Sequence, residues 1–296
     1  MTAPRQVIAG RSYLVTRRTA QRQFLLKPST LTTNTIGYVL AVAAARHRIL
    51  IHAAVVLSNH YHLVVTDPYA ELPAFLQYLD SLVARAMNAS YGRWEAFWAP
   101  GSFSGVALAG PEDVVEKCAY ALANPSAAGL VSSGREWPGL WSPPEAVGTT
   151  WRTFQRPDHF FSRGGSMPAR AALELTPPPG PGVEAFRGLL TARLLEKETE
   201  ADQALARAGR RFMGTRKVLV QNHTDHPASG EPRRALSPRV AARDKWQRIE
   251  AIGRLRSFLA EYRVALARLR AGLEDAVFPV GTYQLRVGLD PAWWTV

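Results

Sequence analysis

The chain has 296 residues, 47% of them hydrophobic, with a formal net charge of +12 and an isoelectric point near 10.3. This is enough apolar material for one large domain or two small ones. The charge points to a polyanionic partner, nucleic acid first, and no apolar run approaches the roughly 20 residues of a membrane-spanning helix. The single cysteine, Cys118, excludes an internal disulfide and any Cys-rich zinc site. The polar first residues lack the apolar core of a signal segment, so the cytoplasm is the expected compartment.

Ser12–Thr16 reads as a first strand, followed by the basic residues Arg17, Arg18 and Arg22, which suit either the lining of a DNA path or a solvated surface. Ile36, Val39, Leu40 and Ala43 recur at helical spacing within 33–48. Strands are expected over 50–57 and 60–66, joined at Ser58-Asn59, which is turn chemistry. Residues 72–91 carry Leu72, Phe75, Leu76, Leu79, Leu82, Val83 and Met87 on one helical face. A fourth strand is expected over 103–108. A further helix opens at Pro111-Glu112-Asp113, with Pro at an allowed early position and acids in the first turn, and ends at Asn124-Pro125. The order strand, helix, hairpin, helix, strand, helix implies an α+β fold with a small central antiparallel sheet.

The Pro/Gly stretch 176–182 is the best linker, dividing a domain over 1–175 from a mostly helical basic extension over 183–296. Within that extension, 243–272 reads as a long basic helix with Trp246, Ile249, Ile252, Leu255, Leu259, Tyr262 and Leu266 on one face. Charge follows the division. Residues 1–150 hold 12 Lys/Arg against 9 Asp/Glu, and residues 151–296 hold 24 against 15. Arg210, Arg211, Arg216, Lys217, Arg233 and Arg234 suit a phosphate-binding surface whose affinity would fall with salt. Trp151, Phe154 and Trp246 suit either base stacking or core packing.

Chemistry concentrates at two places. In the second hairpin strand His60 and His62 are separated by one residue, so both side chains point to one face and Tyr61 to the other. Two imidazoles side by side on a strand are a ready pair of metal ligands, although such a pair is more often structural. Some sixty residues on, Tyr120 and Asn124 are four apart, on one face of a helix. His60, His62 and Asn124 make a two-imidazole, one-amide donor set compatible with Mn²⁺ or Mg²⁺, with open positions for phosphate oxygens.

Asn59-His60-Tyr61-His62-Leu63-Val64 resembles the His-hydrophobic-His motif of the HUH single-strand DNA transposases. Tyr120-Ala-Leu-Ala-Asn124-Pro125, continuing to Gly129-Leu130-Val131, resembles the Tyr-x-x-x-Asn-Pro-Val-x-x-Gly-Leu-Val segment of the REP-associated tyrosine transposases. Trp137-Pro138 with Trp141-Ser142 is similar to the Trp-Pro-x-Ser-Ser stretch that follows in that branch. The resemblance spans about residues 8–150. It implies a ferredoxin-like HUH nuclease fold, Tyr120 as nucleophile, and His60, His62 and Asn124 around Mg²⁺ or Mn²⁺. The implied reaction is cleavage and rejoining of single-stranded, hairpin-bearing DNA through a 5′-phosphotyrosine, by a nucleoid-associated monomer or homodimer. A phenol ordinarily ionises near pH 10 and is a weak nucleophile at neutral pH, so such chemistry needs help from a cation on the phosphate. One departure stands out. The family pattern carries Val-Arg or Val-Lys after Asn-Pro, and here Ser126-Ala127 stands instead. Two rival functions remain at this point: a domesticated hairpin-binding protein that does not cut, and a metal-dependent phosphodiesterase that uses water.

Overall fold

The computed structural model describes residues 4–101, 103–228, 238–273 and 275–283; Arg233 and Arg234 lie outside them. Strand β1 (Arg11–Arg18) leads to helix α1 (Thr30–His47), then to the hairpin β2 (Leu50–Val56) and β3 (His60–Asp67), helix α2 (Leu72–Tyr91) and strand β4 (Ser104–Leu108). The sheet runs β2-β3-β1-β4, with every pairing among these four strands antiparallel. A fifth strand, β7 (Val240–Ala241), adds two residues in parallel beside β4. The fold is therefore α+β, with a central sheet flanked by helices, and is antiparallel except at that short edge. Among the described residues no helix is long and apolar enough to cross a membrane.

Strand alternation decides what each face of the sheet meets. Tyr61 and Leu63 face α1 and α2, where they meet Ile36, Leu40, Leu79 and Val83. The α2 stripe expected from the sequence, from Leu72 to Met87, is buried. Helix α3 (Pro111–Leu122) crosses the opposite face, the one carrying His60 and His62. The Asp113 carboxylate caps the start of α3 by accepting from the Gly110 N–H, and it also accepts from the Arg243 N–H.

The expected stop at Asn124-Pro125 is softer than the sequence suggests. Ala123 keeps helical geometry, and Asn124–Ala127 forms a further turn, α4. Proline is tolerated there because the first N–H groups of a helical turn have no partner to lose. Tyr120 and Asn124 thus lie on successive turns around a break, not on one unbroken helix.

The Trp-Pro segment closes the β2 edge. Ser142 N–H donates to the Ala54 carbonyl, its hydroxyl accepts from Ala54 N–H, and the Trp137 indole donates to the Val56 carbonyl. The Trp141 indole donates to the Leu122 carbonyl, tying the end of α3 to this edge. A second, two-stranded sheet follows, β5 (Thr149–Gln155) with β6 (Arg170–Leu175), packed against α1. Its Phe154 is buried and lies where a side chain on Gly37 would go, so it is a core residue. A Cβ at Gly37 would come within 2.2 Å of the Phe154 ring. Gly37→Ala is therefore expected to destabilise by about 1–3 kcal/mol, although alanine is the better helix former by about 1 kcal/mol. Denaturant unfolding checks this, and adding Phe154→Leu should recover part of the loss.

The stretch 176–182 is tied to the sheet at its start, where Thr176 N–H donates to the Ile51 carbonyl. Beyond it, α5 (Val183–Arg207) packs on α3 through buried Phe186, Leu190 and Leu194. A short helix, α6 (Thr215–Leu219), follows. The long basic helix α7 (Lys245–Arg270) is covered less than its apolar stripe predicts: Phe258 and Ala265 are buried, but Trp246 is 72% exposed. That tryptophan is not core.

His52 stands at a bulge in β2, between Ile51 and Ala53. Its Nδ1 lies 2.7 Å from the Thr176 carbonyl and its Nε2 2.7 Å from Thr66 Oγ1. Burial holds its pKa down, to about 4, against the opposing pull of the Thr176 carbonyl. The neutral ring is thus favoured by folding, so its contribution is complete above the unfolded value near 6.5 and is lost as pH falls from there towards 4. The loss amounts to about 3 kcal/mol. Denaturation of the wild type at pH 7.5 and 4.5, compared with His52→Gln, should show a smaller pH effect in the variant.

Candidate active site

The site is built on β3 at the centre of the sheet. His62 pairs with Thr16 of β1 on one side and with Val55 of β2 on the other. The His60 and His62 rings stand edge to face, with centroids 4.9 Å apart. Each ring is held by a neighbour. His62 Nδ1 lies 2.7 Å from Thr16 Oγ1, and His60 Nδ1 donates to Asn59 Oδ1 at 2.7 Å. The second bond sets the His60 tautomer with its lone pair on Nε2, the form that ligates a metal.

Burial pushes the pKa of His62 well down, and the charges of His60 and Arg18 push the same way. The ring is therefore neutral, as a ligand must be. Asn59 is itself fixed: its Nδ2 donates to the Arg22 carbonyl, and its own carbonyl accepts from the Thr19 N–H and hydroxyl. Gln21 and Arg22 both take positive φ, 50° and 61°, in the turn that makes this support.

Tyr120 projects from the last turn of α3 onto this face. Its ring meets His62 edge on, with centroids 5.7 Å apart, and it is 42% exposed. Among the described residues its hydroxyl has no hydrogen-bond partner, nor has the half-buried Asn124 amide. Other tyrosines of the domain are engaged elsewhere. The Tyr61 hydroxyl donates to Asp80 on the far face, Tyr78 to Met167 sulfur and Tyr91 to the Leu25 carbonyl. Tyr13 is buried.

The paired imidazoles, one of them held neutral by burial, suit a divalent cation in type. Among the described residues no cluster of three His, Cys, Asp or Glu side chains stands at metal-binding spacing. A third protein donor would therefore have to be of another type.

The basic residues divide. Arg18 pairs in register with His60 and shares its face. Arg17 is turned to the other face, where it meets Asp80 at 3.5 Å, the Gly101 carbonyl and the Trp98 ring. Arg22 contributes its carbonyl to Asn59. Arg210 lines a groove with Tyr120. Arg211, Arg216 and Lys217 are exposed on the segment whose Met213 and Gly214 N–H groups donate to the Gly129 and Leu130 carbonyls.

Reasoning from sequence missed three participants. Thr16 lies 46 residues from His62, and its role needs the strand register. Asn59 fits the turn by residue type, but its bond to His60 shows only in the folded turn. Lys117, whose Nζ stands 5.4 Å from the centre of the Tyr120 ring, was legible in principle from its place three residues earlier on the helix.

Solved transposase structures are among the chain's structural neighbours. One, a REP-associated tyrosine transposase bound to a REP hairpin, matches 47% of this chain and 81% of its own, at 20% identity and a TM-score of 0.40. Another, described as a candidate transposase from Deinococcus radiodurans R1, matches 36% of this chain and 85% of its own, at 19% identity and a TM-score of 0.29. No protein-family model and no curated protein matches the chain. At these values the likeness transfers no function by itself.

Proposed function

We propose that the protein is a single-stranded DNA transposase that cleaves and rejoins DNA, at hairpin-bearing sequences, with Tyr120 as nucleophile and a divalent metal, Mg²⁺ or Mn²⁺, on His60, His62 and Asn124. The observation that carries the proposal is the placement of an exposed tyrosine with an unpartnered hydroxyl directly against one of two paired, pre-oriented histidines. The exposed hydroxyl is open to an incoming phosphate, as a nucleophile must be.

In the proposed step the Tyr120 oxygen attacks phosphorus, forming a Tyr–O–P bond as the P–O3′ bond breaks. The phenol gives up its proton, and the departing 3′ oxygen takes one to become a free 3′-OH. Attack by a 3′-OH reverses the step and rejoins DNA, so the bond energy is kept and no cofactor is consumed. A bound cation would supply charge neutralisation at the phosphate. The chain's own part is positional. β3 holds the two histidines, Thr16 and Asn59 orient them, α3 presents the phenol, and Lys117 and Arg18 add positive charge to this face.

The test is to incubate the protein with end-labelled, hairpin-bearing single strands and Mg²⁺ or Mn²⁺, then to denature it. A protein–DNA adduct that survives denaturation is expected. Cleavage without an adduct would favour the water-using phosphodiesterase, and binding without cleavage the retired binding protein.

A further inference from the structure

Beside Tyr120 a groove of about 390 Å³ opens between α3–α4 and α5. Its floor is made of small apolar side chains, Ala123 and Ala127 from one wall and Ala201, Ala204 and Leu205 from the other. Two cations border it, and they differ. Lys197 is committed to Glu116 at 2.6 Å. Burial alone would raise the Glu116 pKa, but Lys197 and Arg193 outweigh it and hold the carboxyl below its ordinary range, so this pair is stable at neutral pH. Arg210 has no acidic partner among the described residues, and its Nη2 stands 4.0 Å from where a side chain on Gly129 would begin. The one carboxylate on the lining, Glu200, is exposed.

We infer that this groove is a subsite for an unpaired nucleotide next to the scissile phosphate, with its base on the alanine floor and its backbone phosphate on Arg210. The inference rests on the proposed function and names where the strand lies. Three observations converge on that occupant. The groove begins at the nucleophile, so whatever fills it adjoins the reacting phosphate. Its floor is apolar and built of methyl groups, which suits a flat π face and offers nothing to a polar or strongly charged ligand. Its unpaired cation is an arginine, whose fork matches phosphate oxygens.

The position of Arg210 also accounts for the departure at 126–127. Ser126 and Ala127 line this same groove. The positive charge that the family pattern carries after Asn-Pro is absent from that wall and is supplied from the other, by the chain that leaves α5. Helix α5 is thus a wall of the site, and Arg210 a substrate-positioning residue.

The test separates binding from chemistry. The affinity of the full chain for a labelled hairpin-bearing single strand is measured by anisotropy between 50 and 200 mM salt, for the wild type, Arg210→Ala, Arg210→Ala/Ala127→Arg, and Arg46→Ala as a control. Arg46 is exposed on α1, on the other side of the sheet. Arg210→Ala is expected to weaken binding about tenfold and to reduce the salt slope by about 0.7, the value for one phosphate contact on a single strand. Restoring a cation from the opposite wall with Ala127→Arg should recover most of both, which a merely structural Arg210 would not allow. Arg46→Ala should change neither. Affinity and salt slope in Arg210→Ala equal to those of the wild type would overturn the subsite, as would failure of Ala127→Arg to restore either. Absence of an adduct from the wild type would overturn the transposase function and leave these binding results to stand or fall separately.

Discussion

Tyr120→Phe is expected to abolish the denaturation-resistant adduct, by roughly a thousandfold or more, the scale on which removal of a covalent nucleophile is felt. The structure makes the variant a clean probe. The hydroxyl has no hydrogen-bond partner among the described residues, and the ring is partly exposed, so removing one oxygen leaves the packing against His62 intact. Stability should therefore change by no more than about 0.5 kcal/mol. DNA affinity should hold too, because the phenol is not part of the positive surface. A variant that still binds and still folds but forms no adduct isolates the chemical step. Unchanged cleavage in Tyr120→Phe would assign the attack to water.

The second large effect belongs to His62. His62→Ala is expected to remove Mn²⁺ binding measurable by calorimetry and to lower adduct yield at least roughly a hundredfold, because even losing a ligand's hydrogen-bond partner costs about 10–100-fold. Thr16→Val tests that smaller effect. It keeps the shape of the Thr16 side chain but removes the hydroxyl 2.7 Å from His62 Nδ1. Its loss should fall within that 10–100-fold range, with the metal bound more weakly and the sheet retained. Full adduct yield from His62→Ala in the presence of a chelator would end the metal role.

Much of this arrangement was legible because it depends on short-range rules. His60 and His62 share a face through strand alternation, and the α2 stripe follows from helical period. The turn at Ser58-Asn59 could be read from its residue types. What stayed hidden depends on distant partners. Thr16 meets His62 through a register between β1 and β3 that no local pattern reports. The β5–β6 pair went unread because β5 exposes most of its residues, with Phe154 alone buried, and the buried side of β6 is marked by just two leucines, Leu173 and Leu175. The seating of α5 on α3 through Phe186, Leu190 and Leu194 is another such contact, hidden in a densely charged helix. In α7 the apolar stripe is real, but an apolar stripe does not say how much of it will be covered, and Trp246 is left in solvent.

The central place of β3 carries a consequence for how the molecule breathes. His62 has a paired strand on each side, so freeing its backbone means dismantling the sheet itself, and its amide should exchange only with global opening. Helix α7, with two buried side chains along its length, has far less to hold it and can open while the sheet remains closed. The two histidines therefore belong to the slowest-opening part of the protein, and α7 to a faster one. Local opening of α7 would thus leave the arrangement of His60 and His62 unchanged.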